Sequence, residues 1–398
     1  MPDINETLAV YSERFMLLAG IAYAIAFIAF AWDLVQNAKS TQAVLAQSQR
    51  AAGSRGRQAD GGRAGSTTAG SVADSVAGSV AAPAKVSAAV GASGSGGAGG
   101  SADAASGYAG PEMDGPEGRA ERPTFRPGAS SAFTADDSMR YGPQRRVPAR
   151  VAVALTVLAA AIHFAGVLCR GLAAGRVPWG NMYEFCTTGG MVVAIVFLIV
   201  LTRRDLRFLG TFVIGLVLVM LTAASVAFWT PAGHLVPALQ SYWLVIHVSI
   251  AVMSSALFTL TFAMSVLQLL QSRREVALGG GRTDKLPFMR LVPSALSLEN
   301  MAYRINAIAF VGWTLTLMFG SIWAEKAWGR FWGWDTKEVW TFVIWVVYAG
   351  YLHARATRGW TGTRAAWLSI VGYLCVVFNF TIVNVYFSGL HSYAGIGS

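Results

Sequence analysis

Residues 305–357, INAIAFVGWTLTLMFGSIWAEKAWGRFWGWDTKEVWTFVIWVVYAGYLHARAT, hold two apolar runs joined by the hinge WGRFWGWDTKEVW at 328–340. At 1.5 Å rise per residue, the runs 305–324 and 338–357 are each long enough to cross about 30 Å of hydrocarbon, so the pair reads as a membrane hairpin. Working outward, comparable runs lie at 15–35, 151–172, 186–202, 208–229, 242–271 and 366–388. The run at 242–271 is long enough to tilt or to project into water. With 54% hydrophobic and only 13% charged residues in 398, the chain is too apolar for an ordinary soluble protein. The expected fold is all-α: a polytopic integral membrane protein with about eight transmembrane helices.

Lysine and arginine are retained on the cytoplasmic side, and their clusters set the orientation. Arg203, Arg204 and Arg207 form one such loop, Arg273, Arg274, Arg282, Lys285, Arg290 and Arg304 a second, and Arg355, Arg358 and Arg364 a third. Eight spans then put both termini on the extracytoplasmic side. The opening segment agrees, with Asp3, Glu6 and Glu13 before the first run and Lys39 and Arg50 after it. It has neither a basic leader nor a small-residue cleavage site and is read as an anchor. The net charge of +10 is taken up by these loops, so no nucleic-acid partner is expected.

Composition changes abruptly at residues 36–147, where Gly, Ala and Ser dominate and large apolar residues are scarce. Such a segment cannot bury enough surface to offset its ordering entropy and is expected to be a disordered cytoplasmic linker. It divides the chain into an anchor at 1–35 and a seven-helix body at 148–398. Cys169, Cys186 and Cys375 show no metal-ligand spacing and read as small apolar side chains; a Cys169–Cys186 disulfide is the minority reading.

The hinge carries more than an aromatic belt needs. Trp323, Trp328, Trp332, Trp334 and Trp340 crowd beside Asp335, Lys337 and Glu338, and Gly329 and Gly333 leave the backbone free to approach something flat. If helical, Trp328 and Trp332 share one face, as do Asp335 and Glu338. An indole platform beside charge suits a large planar ligand with polar edges. His247 lies about 8 Å into its span from the outer end, and His391 follows the last span on the same side. Two imidazoles at one membrane level can serve as axial ligands of an iron porphyrin. His353 lies about 20 Å away along the helix axis, near the cytoplasmic end, and cannot share that iron. His163 is expected to be packed or hydrogen-bonded, and His234 to be an ordinary loop residue. In GRVPWGNMYEF, Asn181 is placed to cap a helix, with Tyr183 and Glu184 beside it.

Trp328-Gly-x-x-Trp332-x-Trp334-Asp335-x-Lys337-Glu338, together with His247 in PALQSYWLVIHV, NMYEF, His353 and His391, resembles the CcsA (ResC-like) cytochrome c biogenesis family of WWD-domain membrane proteins over about residues 150–398. One departure is Arg176, where many relatives carry His before P-x-x-N-x-Y-E. The resemblance implies the haem-carrying subunit of a cytochrome c synthase in the bacterial plasma membrane, partnered by a ResB/CcsB-type subunit. It implies that His247 and His391 ligate haem b externally, that the WWD loop holds the porphyrin, and that His353 belongs to a transmembrane haem site. It further implies that haem is presented to the CxxCH segment of apocytochrome c for thioether formation. No residue stands out as a nucleophile, so positioning and redox protection would carry the reaction. A CcmC-like protein handing haem to a chaperone is the main alternative; a transporter would instead show broken spans at mid-membrane.

The charge reading predicts that a cysteine placed at Ser392 is labelled by a membrane-impermeant reagent from outside and one at Thr361 is not. The opposite pattern of mass shifts would invert the topology.

Overall fold

The computed structural model describes residues 4–61, 134–142 and 146–391, with side chains to residue 36 in the first segment. The regular structure among these residues is helical, without a strand. Eight long helices follow in order: α1 Glu6–Gly61, α2 Val147–Ala174, α3 Met182–Arg203, α4 Gly210–Ala227, α5 Tyr242–Gly279, α6 Ala295–Trp328, α7 Thr336–Thr357 and α8 Thr363–Phe378. A π turn at Asn379–Val383 continues α8 to Tyr386. Seven have the length and apolarity to cross a membrane, α1 through Glu6–Gln36 and α8 through Thr363–Tyr386. The chain is thus a multi-pass membrane protein. The eighth expected span, at 338–357, is the helix α7 but falls short on apolarity, because Trp345, Tyr348, Tyr351 and His353 dilute its aliphatic residues.

Side chains set the helix ends. The Asn181 side chain accepts from the Glu184 amide at 2.9 Å and opens α3, as its position suggested. Gly175 ends α2 and Gly329 ends α6 in the left-handed conformation, which an L-residue adopts only at a cost.

Helices α5 to α8 form antiparallel neighbours stitched by polar side chains that water would otherwise have to satisfy. Between α5 and α6, Thr261 donates to Asn306 Oδ1 at 2.6 Å. Between α6 and α7, Trp313 Nε1 donates to the Thr341 carbonyl at 3.0 Å and Trp345 Nε1 to Thr314 Oγ1 at 3.0 Å. Arg355 pairs with Glu299 at 3.0 Å towards the other end of the same two helices. Helix α7 therefore shares the depth of α6 despite its lower apolarity. Between α5 and α8, Thr259 and Tyr373 are 2.9 Å apart. Inside hydrocarbon, such pairs take the place of hydration.

Helix α1 extends well beyond the boundary expected at residue 35. Its first part packs on α2 to α4: Ser12 donates to the Gly166 carbonyl at 2.8 Å, Phe30 meets Phe197, and Arg146 pairs with Asp33. The segment expected to be linker up to 147 is also partly anchored. The Asp205 amide donates to the Met139 carbonyl at 2.7 Å, and the Ser294 amide to Asp137 at 2.9 Å, joining residues 134–142 to two of the basic loops. The rest of the expected linker, 62–133, lies outside the described residues. All three cysteines are free, so the minority disulfide is not formed. His163 is buried edge-on against Tyr23, a packed residue as expected.

A Cβ on Gly210 would stand 2.4 Å from the ring of Phe30, which is itself buried to 1% exposure and cannot swing aside. Gly210→Ala is expected to destabilise the protein by about 1–3 kcal/mol, read as a lower midpoint of thermal unfolding in detergent, and Phe30→Leu should restore part of the loss.

Candidate functional site

A cavity of about 1060 Å³, counting its open mouth, lies at the end of the helices that carries the tryptophan hinge. His247, Trp323, Trp332, Lys337, Glu338 and His391 contribute to its wall, with Phe185 and Trp179 facing from the α2–α3 side. Residues from four distant stretches of sequence thus converge on one apolar space of ligand size.

The two imidazoles are held in the same manner by different partners. His247 Nδ1 donates to the Thr316 carbonyl at 2.9 Å. Thr316 can offer that oxygen to a side chain because Gly320, one turn on, leaves room: a Cβ there would stand 2.7 Å from His247 Cε1. His391 Nδ1 lies 2.7 Å from Asp335 Oδ2, which also accepts the His391 amide at 3.1 Å. With Nδ1 committed on both rings, Nε2 is the nitrogen left to bind a ligand, and no protein partner for it is present among the described residues. Both rings meet the same indole: Trp323 stacks on His247 at 5.8 Å and meets His391 edge-on at 5.3 Å, while Trp328 meets His391 at 4.9 Å.

The hinge is not helical. Helix α6 stops at Trp328, Gly329 turns the chain at φ +72°, and Trp334 takes the left-handed conformation at φ +57°, which costs a non-glycine residue about 1–3 kcal/mol. Trp328 and Trp332 consequently do not share a helix face. Trp332 reaches the cavity, whereas Trp334 is 75% exposed and packs only on Trp332 among the hinge indoles. Asp335 and Glu338 form a capping box that opens α7: the Asp335 side chain accepts from the Lys337 amide, and Glu338 Oε2 accepts from the Asp335 and Gly333 amides at 3.1 and 2.8 Å. Burial pushes the Asp335 pKa up, but the hydrogen bond and charge of His391 and the capping amides outweigh it and hold the carboxyl below its usual range.

The chain is 34% identical over 250 residues to the cytochrome c biogenesis protein CcsA of Prochlorococcus marinus, covering 56% of this chain and 78% of that one. It is 33% identical over 271 residues to the protein of that name in a Synechococcus species, covering 63% and 87%, and 32% identical over 257 residues to that of Porphyra purpurea, covering 56% and 81%. A family described as cytochrome C assembly protein matches residues 179–391, which span the cavity from Trp179 to His391. The chain belongs to the cytochrome c assembly family. Its role is accordingly cytochrome c biogenesis at a membrane.

Several residues of this family member escape motif reading. Trp323, already counted among the crowded indoles, lies outside the signature run yet touches both histidines, and Gly320 and Thr316, which the sequence did not single out, orient His247 from a helix that looks like plain membrane span. His353 stands apart, exposed on α7 near its basic end, and His234 is exposed in the loop before α5. Arg176 finds its partner in Glu184. That carboxylate is fully buried and accepts from Arg170 at 3.0 Å, from Arg176 at 2.7 Å and from the Gly180 amide at 2.7 Å. The two guanidinium groups also donate to the carbonyls of Thr230, Pro231 and Gly233, tying the α4–α5 loop to the start of α3.

Removing the shared carboxylate leaves the buried Arg170 and the half-buried Arg176 without their anion. Glu184→Gln is expected to destabilise the protein by about 3–5 kcal/mol, measured as a fall in the unfolding midpoint far larger than for Glu325→Gln at the exposed end of α6.

Proposed function

We propose that this chain carries haem b to the outer face of the membrane and presents it there for thioether attachment to the CxxCH segment of apocytochrome c, as part of a cytochrome c synthase with a ResB/CcsB-type subunit. The observation that carries the reading is the matched pair of imidazoles. Each is fixed through Nδ1, each lines the cavity with no protein partner on Nε2 among the described residues, and both are packed on Trp323. A carbonyl or carboxylate on Nδ1 is the outer-shell partner that ligating histidines commonly have, because it fixes the tautomer and raises the basicity of Nε2. The walls of Trp332, Phe185 and Trp323 suit the faces of a porphyrin.

In this reading His247 and His391 supply the axial nitrogens, and two imidazoles together favour a low-spin iron shielded from oxygen. Asp335 holds His391 in place through both its ring and its backbone amide, where His247 is held by a carbonyl. His391 lies just beyond the last helix, so its ligand bond is the one the incoming histidine of CxxCH would displace. Each thiol then adds across a vinyl group: the S–H bond and the vinyl π bond break, a C–S and a C–H bond form, and no electron is transferred. The chain's own contribution is alignment of the vinyl edge with the thiols, a gain of the kind that orientation supplies. His353, exposed on α7, is assigned to an earlier haem position within the membrane.

Replacing His247 or His391 with Gly removes a ligand and leaves room for a free ring. In both variants the split α and β bands of ferrous low-spin haem and cytochrome c maturation should be lost, and both should return with millimolar imidazole. His234→Gly should match the unaltered protein throughout. If both histidine variants keep an unchanged low-spin spectrum, the paired-ligand assignment fails.

A further inference from the structure

Lys337 is the feature of the cavity that ligation and stacking leave unexplained. Its Nζ donates to Asn384 Oδ1 at 2.8 Å, lies 3.4 Å from the Asn379 carbonyl and sits 5.2 Å above the Phe380 ring, all within the cavity wall. Those partners are neutral. Carbonyl oxygens satisfy donors, but an ammonium away from water also needs an opposite charge to offset its desolvation. The nearby carboxylates are committed elsewhere: Asp335 to His391 and the Lys337 amide, Glu338 to the amides of Gly333 and Asp335. Among the described residues Lys337 forms no ion pair. Two of its three N–H donors are used, leaving one for a ligand.

A second observation points the same way. The indole Nε1 of Trp179, on another wall of the same cavity, is buried without an acceptor. The space therefore presents an ammonium with no ion pair among the described residues, its neighbouring carboxylate Asp335 being hydrogen-bonded to His391, and an indole donor still without an acceptor. Metal-free aromatic surface alone would need neither group.

We infer that Lys337 is the carboxylate-recognising group of the cavity and pairs with a propionate of the porphyrin. The inference rests on the haem reading above and adds what sets the in-plane orientation of the ligand. Axial nitrogens and indoles permit rotation about the iron axis; a charge pair at the rim does not. Fixing the propionate edge fixes the opposite, vinyl-bearing edge, where the thiols must arrive. Lys337 acts here as a binding and positioning residue, with no part in bond making.

The test uses the full-length protein in detergent, stripped of haem and titrated, by absorbance, with haem and with haem dimethyl ester, in which both carboxylates are masked. The unaltered protein should bind haem at least about tenfold more tightly than the ester, the size expected of a charge-assisted pair. Lys337→Gln should lower haem affinity by about tenfold and leave ester affinity unchanged, which also shows that the variant is folded, and Lys337→Arg should keep the preference. Should Lys337→Gln not be recovered, Lys337→Met serves as the neutral variant with the same expected result. Equal affinity of the unaltered protein for both ligands, or a neutral variant that keeps the preference or loses both ligands alike, overturns the inference while leaving haem binding intact. Binding of neither ligand by the unaltered protein overturns the haem reading as well.

Discussion

The Asp335 carboxylate joins three events that would otherwise be independent. It opens α7, it holds His391, the last described residue, through both backbone and ring nitrogens, and it thereby brings the stretch that follows α8 onto the hinge. A Cβ on Gly389 would stand 2.6 Å from Asp335 Oδ1, so the returning chain lies close against this carboxylate. Without that anion α7 loses its cap and the cavity loses one of its two imidazoles. The capping box is thus part of the site rather than a support beneath it, and the helix end and the ligand geometry share one set of hydrogen bonds.

The remaining helices are constrained by a different rule. Backbone and side-chain polar groups in hydrocarbon must find partners within the protein, and here they do so mainly between helices: Thr261 with Asn306, Trp313 with Thr341, Thr259 with Tyr373. These pairs fix the rotation of α5, α6, α7 and α8 about their own axes. His247 and Thr316 belong to the same α5–α6 interface, so the interface that holds these helices together also aims an imidazole into the cavity.

The helices were legible because apolar runs of spanning length have few alternative meanings, and local chemistry marked Asn181 as a cap. Three things were not legible, each for a physical reason. Where α1 ends depends on chain beyond its apolar stretch, and composition at 36–61 reads as linker although the backbone stays helical. The hinge indoles looked like a helix face because spacing alone ignores Gly329 and the left-handed Trp334, which end the helix and start a turn. Gly320 matters through His247, some 70 positions away, and the role of Trp323, named as one indole among five, lies in its contacts with both His247 and His391; sequence proximity carries no trace of either.

The positions of the histidines also bear on the two haem positions proposed above. Below the cavity, Phe258 stacks on Tyr348 at 3.8 Å and meets Trp313 at 6.1 Å, and all three are at most 1% exposed. Gly372 lets α8 close on this group: a Cβ there would stand 2.9 Å from the Tyr348 ring. Packing at that density leaves no room for a molecule the size of a porphyrin between α5, α6, α7 and α8. His353 lies beyond these rings and faces outward from α7. A ligand held at His353 is therefore held on the outer surface of the helices, where lipid or another chain must supply its far side, while one held at His247 and His391 is enclosed by this chain's own indoles.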